Sequence, residues 1–261
     1  MKLKLASIIF LFISLSFKVS AQNGIVRTEP TLEDRFPKRI GGLRFSQTTL
    51  HLGDVYNNAN RMDTIQLYNN SDAPLTLSIG SKLPDQIKAS IEPSKLEPAS
   101  EGIIVVQYDA TKQKEFGFNF DRIILHTNDT EMPEKNINIT LSIKEYFPPA
   151  DPGDTLIAQK ARLAESTYNF GRLQQGEKAR HDYIIFNDGQ RDLKIHHAKN
   201  TCGCIKTSFS KNIIAPGDSA LASIEFDSFG KDGSTSNESV IFVNDPSQPE
   251  LRLIIQGDVW K

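Results

Sequence analysis

The sequence predicts an all-β protein made of two tandem sandwiches. Residues 50–77 align without a gap to residues 168–195, and the same register places Tyr108 over Phe226. Self-similarity over such a length is typical of a duplicated structural unit. Short stretches of alternating apolar and polar residues are separated by turn-forming clusters such as "NNSDAP" and "NDGQRD". This pattern predicts short, half-buried strands, and the sequence shows no capped helical stripe.

The second copy shows the strand pattern clearly. Residues 193–195 alternate apolar and polar side chains, and one face of a later strand carries Ala220, Ala222, Ile224 and Phe226. A period of two residues is that of a strand with one buried face. Several short strands with frequent turns, in copies of about 100 residues, predict one β-sandwich per copy.

The N-terminus has the pattern of a secretion signal. Lys2 and Lys4 precede an apolar stretch over residues 5–17, and small residues follow up to Ala21. Such a stretch is shorter than the roughly 20 residues that cross a bilayer, but it suits a cleaved signal peptide. We therefore expect cleavage after Ala21 and export to the periplasm or the cell exterior, where disulfides persist. No later apolar run reaches spanning length, so no membrane span is expected in the mature chain.

The other boundaries follow from the repeat and from composition. The segment "EYFPPADPGDTL" carries three prolines, which cannot donate into a sheet and are typical of a linker. The sequence thus predicts five parts: a signal peptide (residues 1–21), a flexible leader (22–42), a sandwich without cysteines (43–146), a proline-rich linker (147–160) and a sandwich with both cysteines (161–261).

Composition and motifs exclude several classes of function. Charged residues make up 24% and hydrophobic residues 38% of the chain, and the formal net charge is -2. These values are typical of a soluble globular protein, and without a basic excess we expect no nucleic-acid partner. The sequence lacks a nucleophile elbow, a phosphate-binding glycine loop and a His-Glu-x-x-His helix. We therefore expect a protein that is not an enzyme and has no cofactor.

The only two cysteines, Cys202 and Cys204, flank Gly203. Residues two apart in an extended strand have Cα atoms roughly 6.6 Å apart, near the upper limit for a disulfide. A bridge therefore requires the chain to bend, and we expect Gly203 to supply the backbone freedom. Because the closed loop is minimal, the bridge would stabilise the fold little, and strain would make it easy to reduce.

Three interpretations of this pair remain open. A local disulfide or thiol pair with a mainly structural role suits an exported protein. A thiolate metal site needs further ligands, and His197 is the candidate. If Ile195 points into the core, alternation turns His196 outward and His197 inward, unless a bulge intervenes. A redox role is the third interpretation, although the predicted strand and turn lack the helix N-terminus that lowers the pKa of an attacking thiol.

A candidate partner surface lies on the strand "HDYIIFN". The repeat turns Tyr183 and Ile185 inward, which leaves Ile184 and Phe186 on the outer face. Exposed apolar side chains grouped on one strand are a feature of interaction surfaces. Open sandwiches also have edge strands that can pair with an added strand.

The motifs of the second copy resemble a known family. "YNFGRLQQGEKARHDYIIFNDGQRDLKI", "NTCGC", "IIAPGDSALASIEFD" and "LIIQGDVW" occur in this order, as in the bacterial domain of unknown function 1573. The resemblance covers about residues 163–260 and implies an immunoglobulin-like sandwich, related in shape to Hydin-like and major-sperm-protein-like domains, in an envelope setting. Ile205 stands where that family usually has threonine. The first copy keeps the frame but has Pro84, Asp85 and Gln86 where the second has the Cys-Gly-Cys segment.

The sequence therefore predicts an exported, non-catalytic binding or assembly module of the cell envelope, built of two immunoglobulin-like domains, with an envelope protein as its partner. The alternative is a thiol-based metal-binding or redox protein that uses Cys202 and Cys204. The sequence leaves the oligomeric state open.

Overall fold

The computed structural model describes residues 29–149, 151, 153 and 158–261. These residues form two β-sandwiches in tandem, which confirms the predicted all-β, immunoglobulin-like architecture. The expected signal peptide, residues 1–21, lies outside the described residues. None of the helices in the described ranges is long and apolar enough to cross a membrane.

The elements alternate short strands with tight turns. The first sandwich contains α1 (Leu32–Arg35), β1 (Lys38–Ile40), β2 (Leu43–Phe45), β3 (Thr49–Tyr56), β4 (Asn60–Asn69), β5 (Leu75–Ile79), β6 (Ile87–Glu92), β7 (Lys95–Leu96), β8 (Glu101–Asp109), a 3-10 turn (Ala110–Lys112), β9 (Gly117–Thr127) and β10 (Glu134–Lys144). The second contains β11 (Ala161–Leu163), β12 (Thr167–Gln174), β13 (Lys178–Asn187), β14 (Leu193–Asn200), β15 (Ile205–Phe209), β16 (Ile213–Ile214), β17 (Ser219–Asp227), β18 (Gly233–Val243) and β19 (Glu250–Trp260).

The two sandwiches share one topology. The sheets of the first have the orders β1-β2-β4-β8-β6 and β3-β10-β9-β5-β7, and those of the second have the orders β11-β13-β17-β15 and β12-β19-β18-β14-β16. Apart from β1, each strand of the first sandwich has its equivalent nine strands later in the chain. β3 pairs in parallel with β10, as β12 does with β19. The gap-free alignment of the sequence therefore corresponds to a duplicated fold.

An apolar residue followed by glycine (Leu52–Gly53 and Phe170–Gly171) recurs at a bulge in both copies. The pairing of β3 with β10 shifts register beside Gly53, and the pairing of β12 with β19 shifts beside Gly171. The backbone φ is 68° at Gly53 and 71° at Gly171. Glycine adopts this region without the steric cost that other residues have. The repeat thus retains glycine where the strand must bend.

A buried asparagine closes the same corner of each sandwich. Asn69 and Asn187 are fully buried. Each side-chain amide donates to two backbone carbonyls, those of Ala73 and Leu96 in the first copy and those of Arg191 and Ile214 in the second. These bonds satisfy carbonyl groups that are removed from water, which buried polar groups require.

The core positions follow the predicted alternation. Ile65 and Leu67 in the first copy, and Tyr183 and Ile185 in the second, are fully buried between the two sheets of their sandwich. The buried Tyr183 also has a hydrogen-bond partner for its hydroxyl, which donates to the carbonyl of Ile254 at 2.6 Å.

The segment expected to be a flexible leader contains regular structure. Thr31 caps α1 through reciprocal hydrogen bonds with Asp34, a capping box. Phe36 is fully buried against Tyr68, with ring centroids 5.6 Å apart. β1 adds to the sheet through β2. Residues 32–40 therefore belong to the first sandwich, because one buried aromatic ring anchors a segment too short to show a sequence period.

An ion pair is buried in the first sandwich. The ammonium group of Lys135 lies 3.0 Å from the carboxylate of Asp129, and the Lys135 side chain is fully buried. Burial alone would raise the pKa of Asp129, but hydrogen bonds from the Gly42 N–H and from Lys135 outweigh it and lower the pKa to about 2. Asp129 is therefore held ionised inside the fold.

Candidate functional site

The cysteine pair lies in the turn between β14 and β15. Cys202 and Cys204 are joined as a disulfide, with Cα atoms 5.2 Å apart. This separation is within the usual disulfide range of about 4.4–6.8 Å and shorter than that of an extended strand. The chain bends here, in the turn between the end of β14 at Asn200 and the start of β15 at Ile205.

Gly203 differs from the sequence-based expectation. Its φ lies outside the left-handed region that favours glycine, and a Cβ atom built at this position would meet nothing within 4 Å. The bend therefore does not depend on the special backbone freedom of glycine. Gly203 instead leaves open space beside the bridge.

The bridge packs against the second sandwich. Both cysteines are half-buried and contact its hydrophobic core. The side-chain oxygen of Asn237 lies 3.4 Å from Sγ of Cys202 and 3.6 Å from Sγ of Cys204. Asn237 is buried, and its amide nitrogen donates to Thr235. A buried acceptor therefore faces both sulfur atoms.

The sheet edge beside this turn is open. β15 pairs with β17 and is the last strand of its sheet. The bonds from Ser210 N to Leu221 O and from Asp227 N to Cys204 O place the even-numbered residues of β15 in the hydrogen-bonded pairs. Because such pairs alternate in an antiparallel ladder, Thr207 turns its backbone N–H and C=O towards the free edge.

A groove of about 620 Å³ runs over the outer face of this sheet to the β15 edge. Its polar lining includes Arg180, Asn200, Lys206, Thr207, Ser223 and Glu225. The equivalent strand of the first copy, β6, borders a groove of about 210 Å³. The groove beside the disulfide is therefore the larger of these two equivalent grooves.

The charges of this face are partly paired. Glu225 accepts hydrogen bonds from Lys178 at 2.9 Å and from Arg180 at 2.6 Å, and these cations lower its pKa to about 2. Lys206 lies opposite Glu225 in the β15–β17 ladder but has no ion-pair partner among the described residues. Lys178 also lies 3.8 Å from Asp227, and Asp182 accepts from the Ser223 hydroxyl, so carboxylates and cations are balanced on this face.

His197 does not join the cysteines. The pairing of β14 with β18 shifts register between Ile195 and His197, so a bulge intervenes and both His196 and His197 contact the first sandwich. The Nε2 atom of His197 accepts from the backbone N–H of Phe116 at 2.9 Å. Within the described ranges, no three or more His, Cys, Asp or Glu side chains form a group that could hold a metal ion.

The candidate partner surface on β13 is half-buried. Ile184 pairs with Leu221 of β17, which is 40% exposed. Phe186 is covered by Arg162, whose guanidinium carbon lies 4.2 Å from the ring centroid. The structure therefore places an apolar pair, Ile184 and Leu221, on the outer face that also carries the groove, while Phe186 is shielded.

Sequence reasoning missed the groove residues Arg180 and Lys206. The alternation of β15 assigns Lys206 to the outer face, but only the strand order identifies this strand as an edge. Asn237 was also missed, because it lies 33 residues from Cys204 and reaches the turn through sheet pairing.

Comparison with known proteins gives a family match for the second sandwich. Residues 161–259 match the model of a family described as protein of unknown function (DUF1573). The resemblance that the motifs indicate is thereby confirmed for the second copy. None of the curated proteins matches the chain.

Solved structures show a similar fold. A protein of unknown function from Porphyromonas gingivalis W83 superposes with a TM-score of 0.56 at 18% identity, over 84% of this chain and 100% of that one. The ASH/PapD-like domain 7 of human CEP192 gives a TM-score of 0.34 at 14% identity, over 44% of this chain and 95% of that one. The first similarity supports the tandem fold at low sequence identity and carries no function.

Proposed function

We propose that this chain is an exported, non-catalytic binding or assembly module of the cell envelope, and that it binds a partner protein at the β15 edge of the second sandwich. The single observation that carries this proposal is the open edge beside the disulfide, which borders a polar groove of about 620 Å³. An exposed edge can accept an added strand through main-chain hydrogen bonds, while neighbouring side chains supply specificity.

The disulfide supports this surface in a structural role. It closes the turn that leads directly into β15, and the Cys204 carbonyl accepts from the Asp227 N–H at the end of the ladder. Asn200 holds the same turn, because its amide donates to the Ile205 carbonyl and its oxygen accepts from Thr207. The turn and the first residues of the edge therefore form one hydrogen-bonded unit.

The environment of the sulfur atoms favours binding over thiol exchange. If the bridge were reduced, both thiols would lie near the Asn237 oxygen, an acceptor that stabilises S–H and not S⁻. A hydrogen bond to the neutral form disfavours ionisation, and the thiolate is the nucleophile in exchange. Cys202 and Cys204 therefore suit a held bridge better than an attacking thiol.

Affinity capture with the mature chain from envelope extracts tests the proposal. Thr207→Pro removes the outward N–H donor of β15, and Lys206→Glu reverses a groove charge without changing the backbone. Ala89→Pro changes the equivalent position of β6 and serves as the matched control. We expect partner recovery to fall at least about tenfold for the two β15 variants and to stay unchanged for Ala89→Pro, with unchanged melting temperatures for Lys206→Glu and Ala89→Pro. Thr207→Pro also removes the hydroxyl bonds of Thr207 to Asn200 and Ser239, so we expect a lower melting temperature for this variant.

The double variant Cys202→Ser/Cys204→Ser separates the alternatives. We expect a soluble, folded protein with weakened partner recovery, because the turn that leads into β15 loses its constraint. Identical recovery for wild type and all β15 and cysteine variants would refute the binding proposal. Insulin reduction by the wild type, or stoichiometric copper or zinc that is lost in the double variant, would instead support the thiol-based alternative.

A further inference from the structure

The two sandwiches meet at a junction built around β14. Lys144, the last residue of β10, forms an ion pair with Glu250 at 2.8 Å, and the next residue, Glu145, lies 2.9 Å from Nε2 of His196. On the other side of the junction, Lys199 donates to the carbonyl of Phe118 at 2.7 Å. Polar contacts thus flank the junction on both sides.

Aromatic rings fill its centre. The ring of Phe116, just before β9, lies 4.7 Å from the His196 ring and 6.5 Å from the Phe242 ring, measured between centroids. Phe242 is only 6% exposed. A Cβ atom on Gly117 would lie 2.4 Å from the Phe242 ring, so the two sandwiches approach each other here as closely as glycine permits.

His197 bonds the two sandwiches directly. Its Nε2 atom accepts from the Phe116 N–H at 2.9 Å, which requires a lone pair and therefore a neutral imidazole with its proton on Nδ1. That Nδ1 atom is buried and has no hydrogen-bond partner among the described residues. The contact is therefore compatible with the neutral ring alone.

The surroundings of His197 oppose its protonation. Burial lowers the pKa of His197, the carboxylate of Glu115 raises it, and the charges of Lys199 and His196 lower it, with a net decrease from the usual value. Lys199 also lies 3.4 Å from Glu115, so that carboxylate is already paired. The ring of Phe242, at 4.8 Å from His197, adds an apolar neighbour.

We propose that His197 is a proton-sensitive latch that holds the two sandwiches together when it is neutral and releases them when it is protonated. Protonation converts the acceptor Nε2 into a donor, which cannot bond the Phe116 N–H. It also places a second N–H donor and a positive charge among buried aromatic rings, a costly arrangement. Both effects favour the open junction.

The sign of the pH dependence follows from proton linkage. The closed junction binds fewer protons at His197 than the open one, so the contribution of the neutral ring to closure is fully present above the ordinary histidine pKa of about 6.5 and is lost as the pH falls below it. Because a single proton is linked to closure, the equilibrium constant between the closed and the open junction changes by at most about tenfold per pH unit. The other titratable or charged groups at this junction are His196, Glu145, Lys144 and Glu250.

Hydrogen exchange of the Phe116 amide reports on the latch directly. The full mature chain is measured between pH 8 and pH 5, with exchange corrected for its intrinsic pH dependence, and small-angle scattering gives the overall dimensions. We expect Phe116 protection to fall by up to about tenfold per unit below pH 6.5, together with an increase in the maximum dimension. In His197→Gln the side-chain oxygen can still accept but does not titrate, so protection should stay constant on acidification.

His196→Gln is the matched control, since it removes the neighbouring imidazole and keeps His197. We expect the loss of protection on acidification to persist in this variant. Phe116 protection that is independent of pH in the wild type, or equally pH-dependent in His197→Gln, would overturn the proposal. Lost protection with unchanged dimensions would also overturn it, because the bond would then break without release. The wild-type series needs no substitution and so stands even if a variant fails to fold.

Discussion

Replacement of Asn187 by alanine removes four hydrogen bonds from the second sandwich, the longest of them from the Lys160 N–H at 3.4 Å. The Asn187 amide donates to the carbonyls of Arg191 at 2.7 Å and Ile214 at 2.8 Å, and its oxygen accepts from the Gly189 N–H at 3.0 Å. Each buried polar group that loses its partner costs about 1–3 kcal/mol. With partial rescue by water, we expect the free energy of unfolding to fall by about 3 kcal/mol.

Two variants provide the comparison. Asn69→Ala removes the equivalent bonds in the first sandwich and should destabilise that sandwich by a similar amount, since Asn69 donates to two carbonyls and accepts from Ser71. Asn212→Ala changes an exposed residue and should stay within about 0.5 kcal/mol of the wild type.

Native-state hydrogen exchange resolves the two sandwiches, which a single melting curve of a two-domain protein does not. We expect Asn187→Ala to lower protection across the strands of the second sandwich, and Asn69→Ala to do so across the first. By calorimetry, 3 kcal/mol in a domain of about 100 residues lowers the melting temperature of that domain by roughly 10 °C or more. A loss below about 1 kcal/mol for Asn187→Ala would refute the reasoning that these bonds close the corner of the sandwich.

Three further outcomes test the packing and electrostatics. Lys135→Met should cost about 3–5 kcal/mol in a denaturant titration, because it leaves the Asp129 carboxylate buried without its partner; a neutral effect would contradict the ion pair. The pKa of Asp129 in the fold is about 2, below the unfolded value of about 3.9. Its contribution of about 2 kcal/mol to the free energy of unfolding should therefore be present above pH 4 and disappear between pH 4 and pH 2. Asp129→Asn should lack this pH-dependent contribution. Gly257→Ala should cost about 1–3 kcal/mol, because the new Cβ would lie 2.3 Å from the Phe170 ring, whereas Gly203→Ala, with open space around it, should be neutral in the same thermal melt.

The duplicated fold was predictable because its signal is periodic and long. The alternation of Ala220, Ala222, Ile224 and Phe226 was correctly assigned to one buried face, and the repeat register extended the assignment to the other copy. The buried asparagines were visible as a match between Asn69 and Asn187. Their role was not, since the carbonyls that they bind belong to Leu96 and Ile214, 27 residues away in each case.

Short or irregular features escaped prediction for physical reasons. Residues 32–40 form a four-residue helix and a three-residue strand, too short for any period, and a single ring, Phe36, anchors them. The bulge before His197 adds one residue to β14. The residues after it therefore lie on the opposite face from the one that strict alternation assigns. The bend at the cysteines places Cα atoms 5.2 Å apart without a positive φ at Gly203, although this glycine was expected to supply backbone freedom.

The differences between the two copies concentrate along β14 and the turn that follows it. The equivalent strand β5 pairs with β9 in an unbroken register and spans five residues, whereas β14 spans eight and carries the bulge. The middle of β14 presents His196 and His197 to the first sandwich, and the end of this strand leads through Asn200 into the disulfide turn and the β15 edge. Because Asn200 bonds both Ile205 and Thr207, the junction and the proposed binding edge share one continuous strand. This strand therefore connects the junction to the groove covalently and through these hydrogen bonds, and the first copy, without the bulge or the bridge, has no counterpart to it in the residues that the structure describes.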